Sequence, residues 1–216
     1  MEKPASQAAQ PIFWTVPNII TTFRLLLIFV AIGFLFSSND SLKIAAIVAI
    51  PLAILLDMAD GQFARRLNQT STFGAVYDIA ADRLVELSLW FVFAQLAVVP
   101  LWMALVVLSR GVIVDALRSV ALTKGYTPFG KDTMMLSRLG HALTASRTSR
   151  GLYAVVKFLV FPVLGLAAVF PATSSILLHN IEHLALPMAY ITVGFSLLRG
   201  LPVIFESTGL FRKIMK

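Results

Sequence analysis

Residues 42–66, LKIAAIVAIPLAILLDMADGQFARR, join a long apolar run to two aspartates. A membrane-spanning helix needs roughly 20 consecutive, mostly apolar residues, and this segment has that length and composition. Asp57 and Asp60 come at the end of the run, followed by Arg65 and Arg66. Ionisable residues are costly inside a membrane, so they are functional candidates by default. The segment therefore predicts a spanning helix whose end carries a functional site.

The composition of the whole chain indicates the same class of protein. Of the 216 residues, 58% are hydrophobic and 13% are charged, whereas a soluble domain is about half apolar and about a quarter charged. The chain has no cysteine, which excludes disulfide and thiolate chemistry. Its first residues lack the layout of a cleaved signal peptide. We predict an all-α integral membrane protein that forms a single membrane domain over residues 1–216.

Six apolar stretches are long enough to span a bilayer. The predicted transmembrane helices are 16–36, 42–64, two helices within 74–122 that are split at 99–100, 151–170 and 184–205. The stretch 74–122 is split because one helix across all of it would be far longer than a bilayer requires. The N-terminal residues 1–15 are expected to be interfacial or disordered, with residues 11–14 lying along the membrane interface.

The uneven distribution of lysine and arginine predicts the orientation of the chain. Of 18 such residues, Lys43 alone lies near a predicted outer end. The predicted inner segments carry Arg65, Arg66, Lys124, Lys131, Arg138, Arg147, Arg150, Arg212, Lys213 and Lys216. We therefore expect the termini and the active site to be cytoplasmic, in the inner membrane of a bacterium. Topology and attraction to anionic membrane lipids explain the net charge of +7, so nucleic-acid binding is a poor alternative.

Four aspartates are expected to meet at the inner ends of the second and third helices. Asp57 and Asp60 are three residues apart, and Asp78 and Asp82 are four apart, so each pair shares one helix face. The two helices are antiparallel neighbours, which can bring the pairs together. Adjacent carboxylates repel one another, and a divalent cation removes this repulsion. Oxygen ligands suit Mg²⁺ or Mn²⁺, and two such ions about 4 Å apart are a known device for phosphoryl transfer.

The same residues belong to a longer pattern. Asp57-x2-Asp60-Gly61-x2-Ala64-Arg65-x8-Gly74-x3-Asp78-x3-Asp82 resembles, at every position, the signature of the CDP-alcohol phosphotransferases. The resemblance covers this motif and the six-helix layout, and it becomes weak after about Lys124. It implies transfer of a phosphatidyl group from CDP-diacylglycerol to an alcohol at the membrane surface, with release of CMP. It also implies a homodimer surrounded by membrane lipids.

The resemblance implies a role for each aspartate. Asp57, Asp60 and Asp78 would bind the first of two Mg²⁺ or Mn²⁺ ions, and Asp78 with Asp82 would bind the second. Asp82 would also be the catalytic residue, a general base that takes the proton of the alcohol.

The donor is expected to lie against small and polar residues. By resemblance, these are Gly61, Ala64 and Gly74, which leave room for cytidine, and Arg65 and Ser71, which face the phosphates of the nucleotide. The stretch 16–28, VPNIITTFRLLLI, resembles the beginning of bacterial phosphatidylglycerophosphate synthases and CDP-alcohol-type cardiolipin synthases. Asn18, Thr21, Thr22 and Arg24 are expected to face the donor. The alternatives are that Asn18 caps the first helix and that Arg24 extends to the lipid headgroups.

A phosphorylated polar acceptor requires cations, and arginine suits phosphate. The candidates are Arg110 and Arg118 on the fourth helix and Arg147 and Arg150 at the beginning of the fifth. Positive-inside anchoring is the alternative interpretation of these arginines. Glycerol 3-phosphate is the first candidate acceptor. Phosphatidylglycerol, giving cardiolipin, and inositol phosphate stay open, because Arg110 is followed by Gly111 where glycerophosphate enzymes usually have glutamate.

Two other functional classes use acidic residues in a membrane. A divalent-cation transporter needs acidic residues along a path to both faces, but the predicted outer half has almost no charge away from helix ends. A membrane prenyltransferase also uses aspartates with Mg²⁺, but it is expected to have more helices and lacks the segment Gly61-x2-Ala64-Arg65.

Overall fold

The computed structural model describes residues 15–66, 72–123, 135, 137–170 and 176–214, and the regular structure of these residues is helical throughout. The helices are α1 (Val16–Leu35), α2 (Asp40–Arg66), α3 (Thr72–Gln95), α4 (Leu101–Thr123), the short α5 (Arg138–Gly140), a π-helical turn (His141–Ala145), α6 (Arg147–Val169) and α7 (Ile176–Ile214). The predicted all-α fold class is confirmed. The six long helices correspond in order to the six predicted ones.

Three segments of the described chain are long and apolar enough to cross a bilayer. They are Val16–Leu35, Arg138–Val169 and His183–Ser207. The chain is accordingly an integral membrane protein, and its total of six crossings stays a prediction. The predicted interfacial residues 11–14 lie outside the described residues, and the prediction of a single domain over 1–216 also stays a prediction.

The boundary between α3 and α4 agrees with the predicted split at 99–100. Two backbone hydrogen bonds close the end of α3. The N–H of Val98 donates to the carbonyl of Phe93 at 3.0 Å, and the N–H of Ala97 donates to that of Ala94 at 3.1 Å. This pair is the Schellman motif, which puts Ala97 in the left-handed conformation with φ 58°. A local backbone motif, followed by a proline, thus separates the two helices.

Two predicted helix boundaries are wrong. α6 begins at Arg147, earlier than predicted, because the hydroxyl of Ser146 accepts a hydrogen bond from the N–H of Ser149 at 3.2 Å and so caps the helix. α7 begins at Ile176, eight residues before the predicted beginning at residue 184. Apolarity marks the part of a helix that suits lipid, and polar residues beyond it can continue the same helix.

The chain divides into two compact units, Met1–Glu86 and Leu87–Lys216. In the first unit, α1 and α2 pack side by side. The buried apolar residues of these two helices are Ile28, Ala31, Leu35, Ala46, Ile50 and Ala53. Half of this set is alanine, and small residues permit close packing of helices in membranes. The short connection is ordered by Asn39, whose side-chain oxygen accepts a hydrogen bond from the N–H of Ser41 at 2.9 Å.

In the second unit, α7 packs against both α4 and α6. Aromatic side chains form the contacts of α6 with the last part of α3 and with α7. Ring centroids lie 5.9 Å apart for Trp90 and Phe161, 6.3 Å apart for Phe93 and Phe161, and 5.6 Å apart for Tyr153 and Phe195. Such pairs contribute about 0.5–1.5 kcal/mol each beyond the area that they bury.

Gly200 of α7 allows the side chain of Arg110, on α4, to lie directly on the helix backbone. A Cβ atom at Gly200 would be 2.6 Å from Cγ and 2.8 Å from Nε of Arg110. Arg110 is buried, so its side chain has little room to move aside. By contrast, a Cβ atom at Gly194 of the same helix would meet no described atom within 4 Å.

We expect Gly200→Ala to lower the free energy of unfolding by about 1–3 kcal/mol, because an added methyl group overpacks the contact with Arg110. Thermal unfolding in detergent measures the change. Gly194→Ala is the matched control on α7, and it should be neutral or stabilising by up to about 1 kcal/mol, because alanine is the better helix former. Equal stability of the two variants would contradict the packing described here.

Candidate active site

Three of the four predicted metal ligands lie together in the first unit. Asp57 is near the end of α2, and Asp78 and Asp82 are in the first half of α3. One carboxylate oxygen of each aspartate lies within 4.8 Å of the corresponding oxygens of the other two. The four-residue spacing on α3 keeps Asp78 and Asp82 on one helix face, and that face is directed at Asp57.

The guanidinium group of Arg24, on α1, contacts all three carboxylates. Nη1 contacts Oδ1 of Asp57 and lies 3.0 Å from Oδ1 of Asp82, while Nη2 lies 3.4 Å from Oδ1 of Asp78. The sequence predicted one of two roles for Arg24: contact with the donor, or extension to the lipid headgroups. The second of these is wrong, because the side chain is buried against the aspartates.

The arginine and the aspartates of this cluster differ in how far their side chains are exposed. The side chain of Arg24 is 2% exposed, whereas those of Asp57, Asp78 and Asp82 are 32%, 44% and 43% exposed. The arginine therefore forms the floor of the cluster, and the carboxylates open outward. Burial of a guanidinium is tolerated only with such partners, and removing one partner of a buried ion pair typically costs about 3–5 kcal/mol.

The three aspartates fit a divalent cation. Mg²⁺ binds oxygen ligands at about 2.0–2.1 Å in an octahedron, so ligands on opposite sides are about 4.2 Å apart. Adjacent ligands are closer, at about 2.9 Å, so three oxygens within 4.8 Å of one another are near enough to be drawn together around one ion. The outward opening leaves the other coordination positions to water or to phosphate oxygens. This donor set suits Mg²⁺ or Mn²⁺.

Other predicted site residues are described only in part. The structure describes only the backbone of Asp60, Gly61, Ala64, Arg65 and Arg147. Ser71 lies outside the described residues. Their roles stay predictions. Gly74 is in the first turn of α3, one helical turn before Asp78, so it lies on the face that carries the aspartates.

Thr22 connects α1 to α3 beside the aspartates. Its hydroxyl lies 2.8 Å from the carbonyl of Asn18, to which it donates, and 2.9 Å from the hydroxyl of Tyr77. A threonine hydroxyl has one proton, so Tyr77 donates in the second bond. Asn18 is buried inside α1, and Thr15 caps the helix, so the alternative role of Asn18 as the cap is wrong. Contact of Asn18 and Thr22 with the donor stays a prediction.

The described acceptor candidates lie in the second unit. Arg110 is buried on α4, Arg118 is partly buried on the same helix, and Arg150 is partly buried on α6. Arg147 and Arg150 were predicted to lie where the fifth helix begins, and both are in fact within the first turn of α6. The backbone N–H groups of a helix N-terminus attract anions, so Arg150 adds positive charge at a position that already favours a phosphate.

Two further cations near Tyr153 were missed by the sequence analysis. Nζ of Lys157 lies 5.1 Å from the centroid of the Tyr153 ring, and Cζ of Arg199 lies 4.9 Å from it. Arg199 is buried although it carries a full charge. Each of the two is a charged residue within a predicted apolar helix, and this feature of the sequence could have identified them. With Arg110 and Arg150, they give the second unit several partly or fully buried cations.

Comparison with known sequences identifies the protein family. The family model described as CDP-alcohol phosphatidyltransferase matches residues 14–193. The chain belongs to the CDP-alcohol phosphatidyltransferase family. The matched region contains α1, α2 and α3, and thus Arg24 together with all four signature aspartates.

Curated relatives in this family carry two kinds of name. "Cardiolipin synthase (CMP-forming)" of Streptomyces coelicolor is 34% identical over 118 residues, covering 53% of this chain and 54% of that protein. "CDP-diacylglycerol--glycerol-3-phosphate 3-phosphatidyltransferase" of Bacillus subtilis is 32% identical over 124 residues, covering 52% of this chain and 64% of that protein. The enzyme of the same name from Pseudomonas fluorescens is 34% identical over 116 residues, covering 52% and 58%. The chain spans about half the length of the curated relatives it matches.

For this family member, Tyr77→Phe should lower the free energy of unfolding by about 0.5–1.5 kcal/mol, because it removes the hydrogen bond to Thr22 and keeps the ring. The control is Tyr190→Phe, since the Tyr190 ring is half-exposed beside Trp102 and its hydroxyl is not part of the α1–α3 contact. Chemical unfolding in mild detergent compares the two variants. An unchanged stability of Tyr77→Phe would mean that the bond to Thr22 contributes nothing.

Proposed function

We propose that this family member transfers a phosphatidyl group from CDP-diacylglycerol to a polar alcohol in phospholipid biosynthesis, with release of CMP. The observation that carries the proposal is the convergence of Asp57, Asp78 and Asp82, at the spacing of the family signature, within 4.8 Å. The relatives named as CMP-forming, or as acting from CDP-diacylglycerol, support the same reaction.

In this proposal the aspartates hold the cations and move one proton. Asp57, Asp60 and Asp78 bind one divalent ion, and Asp78 with Asp82 binds a second. Bound cations of this kind neutralise a diphosphate and stabilise the charge that develops on the leaving CMP. Asp82 accepts the proton of the alcohol as the alcohol oxygen attacks the lipid-side phosphorus and the bond to CMP breaks. Arg24 contacts Oδ1 of Asp82, so Oδ2 is the oxygen that accepts the proton.

The donor is proposed to bind over the open side of the aspartates. Gly74, on the aspartate face of α3, leaves room for the nucleotide. The same role is proposed for Gly61 and Ala64, with Arg65 and Ser71 near the phosphates. Asn18 and Thr22 of α1 hold the wall of the site next to Tyr77, and they contact the donor in this proposal.

The acceptor is proposed to bind through its phosphate to the cations of the second unit. These are Arg110, Arg118, Arg147 and Arg150, together with Lys157 and Arg199 beside Tyr153. The planar guanidinium group of arginine suits bidentate recognition of a phosphate, which supports this assignment. Glycerol 3-phosphate, which is small, soluble and phosphorylated, is the acceptor that this chemistry favours.

Cardiolipin synthesis is a second candidate. The relative from Streptomyces coelicolor carries that name, and its identity to this chain, 34%, equals that of the Pseudomonas fluorescens enzyme. Its acceptor, phosphatidylglycerol, also presents a phosphate. Inositol phosphate is a third acceptor with the same recognition chemistry.

The membrane arrangement is part of the proposal. Three apolar segments of spanning length and the distribution of lysine and arginine support six crossings with both termini in the cytoplasm. The aspartates would then face the cytoplasm and the inner leaflet of a bacterial inner membrane, from which a lipid donor enters sideways. A homodimer is proposed from the family resemblance.

The deciding experiment measures CMP release by the purified protein in detergent with Mg²⁺ or Mn²⁺. CDP-diacylglycerol is supplied with glycerol 3-phosphate, phosphatidylglycerol, inositol phosphate or serine in turn. We expect release with glycerol 3-phosphate alone. Release with phosphatidylglycerol alone would establish the second candidate. No release with any acceptor, combined with Mn²⁺ uptake into liposomes that contain the protein, would replace the transferase by a transporter.

We expect Asp82→Asn to lower the rate of CMP release by about 10²–10⁴-fold, because the amide cannot take the proton of the acceptor. Binding of the donor should change little, which a titration with CDP-diacylglycerol in detergent can measure. Asp40→Asn is the control, since Asp40 is exposed at the other end of α2 and pairs with Lys43 at 3.3 Å. Full activity of Asp82→Asn would remove the general base from this mechanism.

A further inference from the structure

Arg24 contacts the carboxylates that would hold a divalent cation. It lies outside the family signature, yet its two terminal nitrogens contact Oδ1 of Asp57, Asp78 and Asp82. These carboxylates are also the group able to hold a metal ion. A guanidinium and a divalent cation that contact the same three carboxylates repel each other. The charge of Arg24 therefore opposes cation binding at this site.

The charges at the site indicate when this opposition is relieved. Three carboxylates and one guanidinium have a net charge of −2, which one divalent cation balances. Two divalent cations make the site positive, even when the carboxylate of Asp60 is counted. A nucleoside diphosphate brings at least two negative charges of its own. With two cations bound, the net charge of the site therefore stops being positive only when such a ligand is also present.

We propose that Arg24 is a positioning residue that couples cation binding to donor binding. Its charge keeps the affinity of the aspartates for divalent cations low without the donor, and the donor diphosphate restores that affinity. This inference rests on the proposed function for the identity of the donor. Its physical basis, a buried guanidinium at 2% exposure in contact with three carboxylates, is independent of the acceptor.

The role follows from geometry as well as from charge. Arg24 comes from α1 and the carboxylates come from α2 and α3, so the guanidinium holds side chains of two helices at fixed separation. Its contacts use Oδ1 of each aspartate from the buried side. The carboxylates themselves are 32–44% exposed, so a cation and a diphosphate can approach them from the exposed side. The same contacts thus organise the ligands and limit their affinity.

The test measures binding of Mn²⁺ by electron paramagnetic resonance, with and without CDP, in full-length protein in detergent. Binding of Mn²⁺ to CDP itself is measured separately and subtracted. For the unmodified protein, CDP should tighten Mn²⁺ binding at least tenfold. Arg24→Gln should bind Mn²⁺ at least tenfold more tightly than the unmodified protein without CDP, because a contact charge has been removed. The effect of CDP should then be much smaller.

Two further variants separate this role from a structural one. Arg24→Lys keeps the charge and should bind Mn²⁺ within about threefold of the unmodified protein. Arg83→Gln removes a positive charge next to Asp82 in sequence, but Arg83 pairs with Glu86 at 3.3 Å, so Mn²⁺ binding should be unchanged. A purely structural arginine would lower the unfolding temperature of Arg24→Gln without tightening Mn²⁺ binding. Tighter binding in Arg24→Gln alone identifies the proposed coupling.

Several results would overturn the proposal. Arg24→Gln that folds and binds Mn²⁺ no more tightly than the unmodified protein excludes it. Equal tightening in Arg83→Gln reduces it to a general effect of charge. If Arg24→Gln does not fold, Mn²⁺ binding to the unmodified protein alone tests the proposal. Equal Mn²⁺ affinity with and without CDP then excludes the coupling. Failure of the proposed function is distinguishable, because it would appear as absent CMP release while Mn²⁺ binding in the variants still reports on Arg24.

Discussion

The ion-pair cluster between Arg24 and three aspartates is the interaction on which the first unit depends. Carboxylates from α2 and α3 can lie together only where their repulsion is compensated, and α1 provides the compensating charge from the buried side. The cluster therefore needs all three helices at once. The alanines of α1 and α2, the Asn39 cap and the bond from Tyr77 to Thr22 all serve to bring these helices within reach. Packing and electrostatics are therefore coupled at this point.

The convergence of the aspartates was predictable because the sequence contains the relevant distances. Spacings of three and four fix a face on each helix, and the few residues between the two aspartate pairs predict that α2 and α3 are neighbours. The role of Arg24 was not predictable in the same way. It lies on a third helix, and no spacing within one helix specifies which side chain of another helix will meet its polar face. The sequence showed only that Arg24 is a single arginine in an apolar helix, and this agreed with several roles.

The sequence predicted some features of the helices and missed others. The number and order of long helices followed from apolar runs, because lipid selects for them. The beginnings of α6 and α7 did not, since a cap at Ser146 and a polar first part of α7 are local backbone features that apolarity does not measure. The cations beside Tyr153 were missed for a related reason. Lys157 and Arg199 were hidden in stretches interpreted for their apolar content alone, although their charges are what distinguish those stretches.

The contact between Gly200 and Arg110 has an evolutionary consequence. Since the arginine stem fills the space that any β-carbon at position 200 would occupy, glycine at 200 cannot change freely while Arg110 is kept. A lineage that acquires a larger residue at 200 must first, or at the same time, shorten the side chain at 110. The two sites should therefore co-vary across relatives as a pair, and an arginine lost at 110 removes the constraint that has kept glycine at 200.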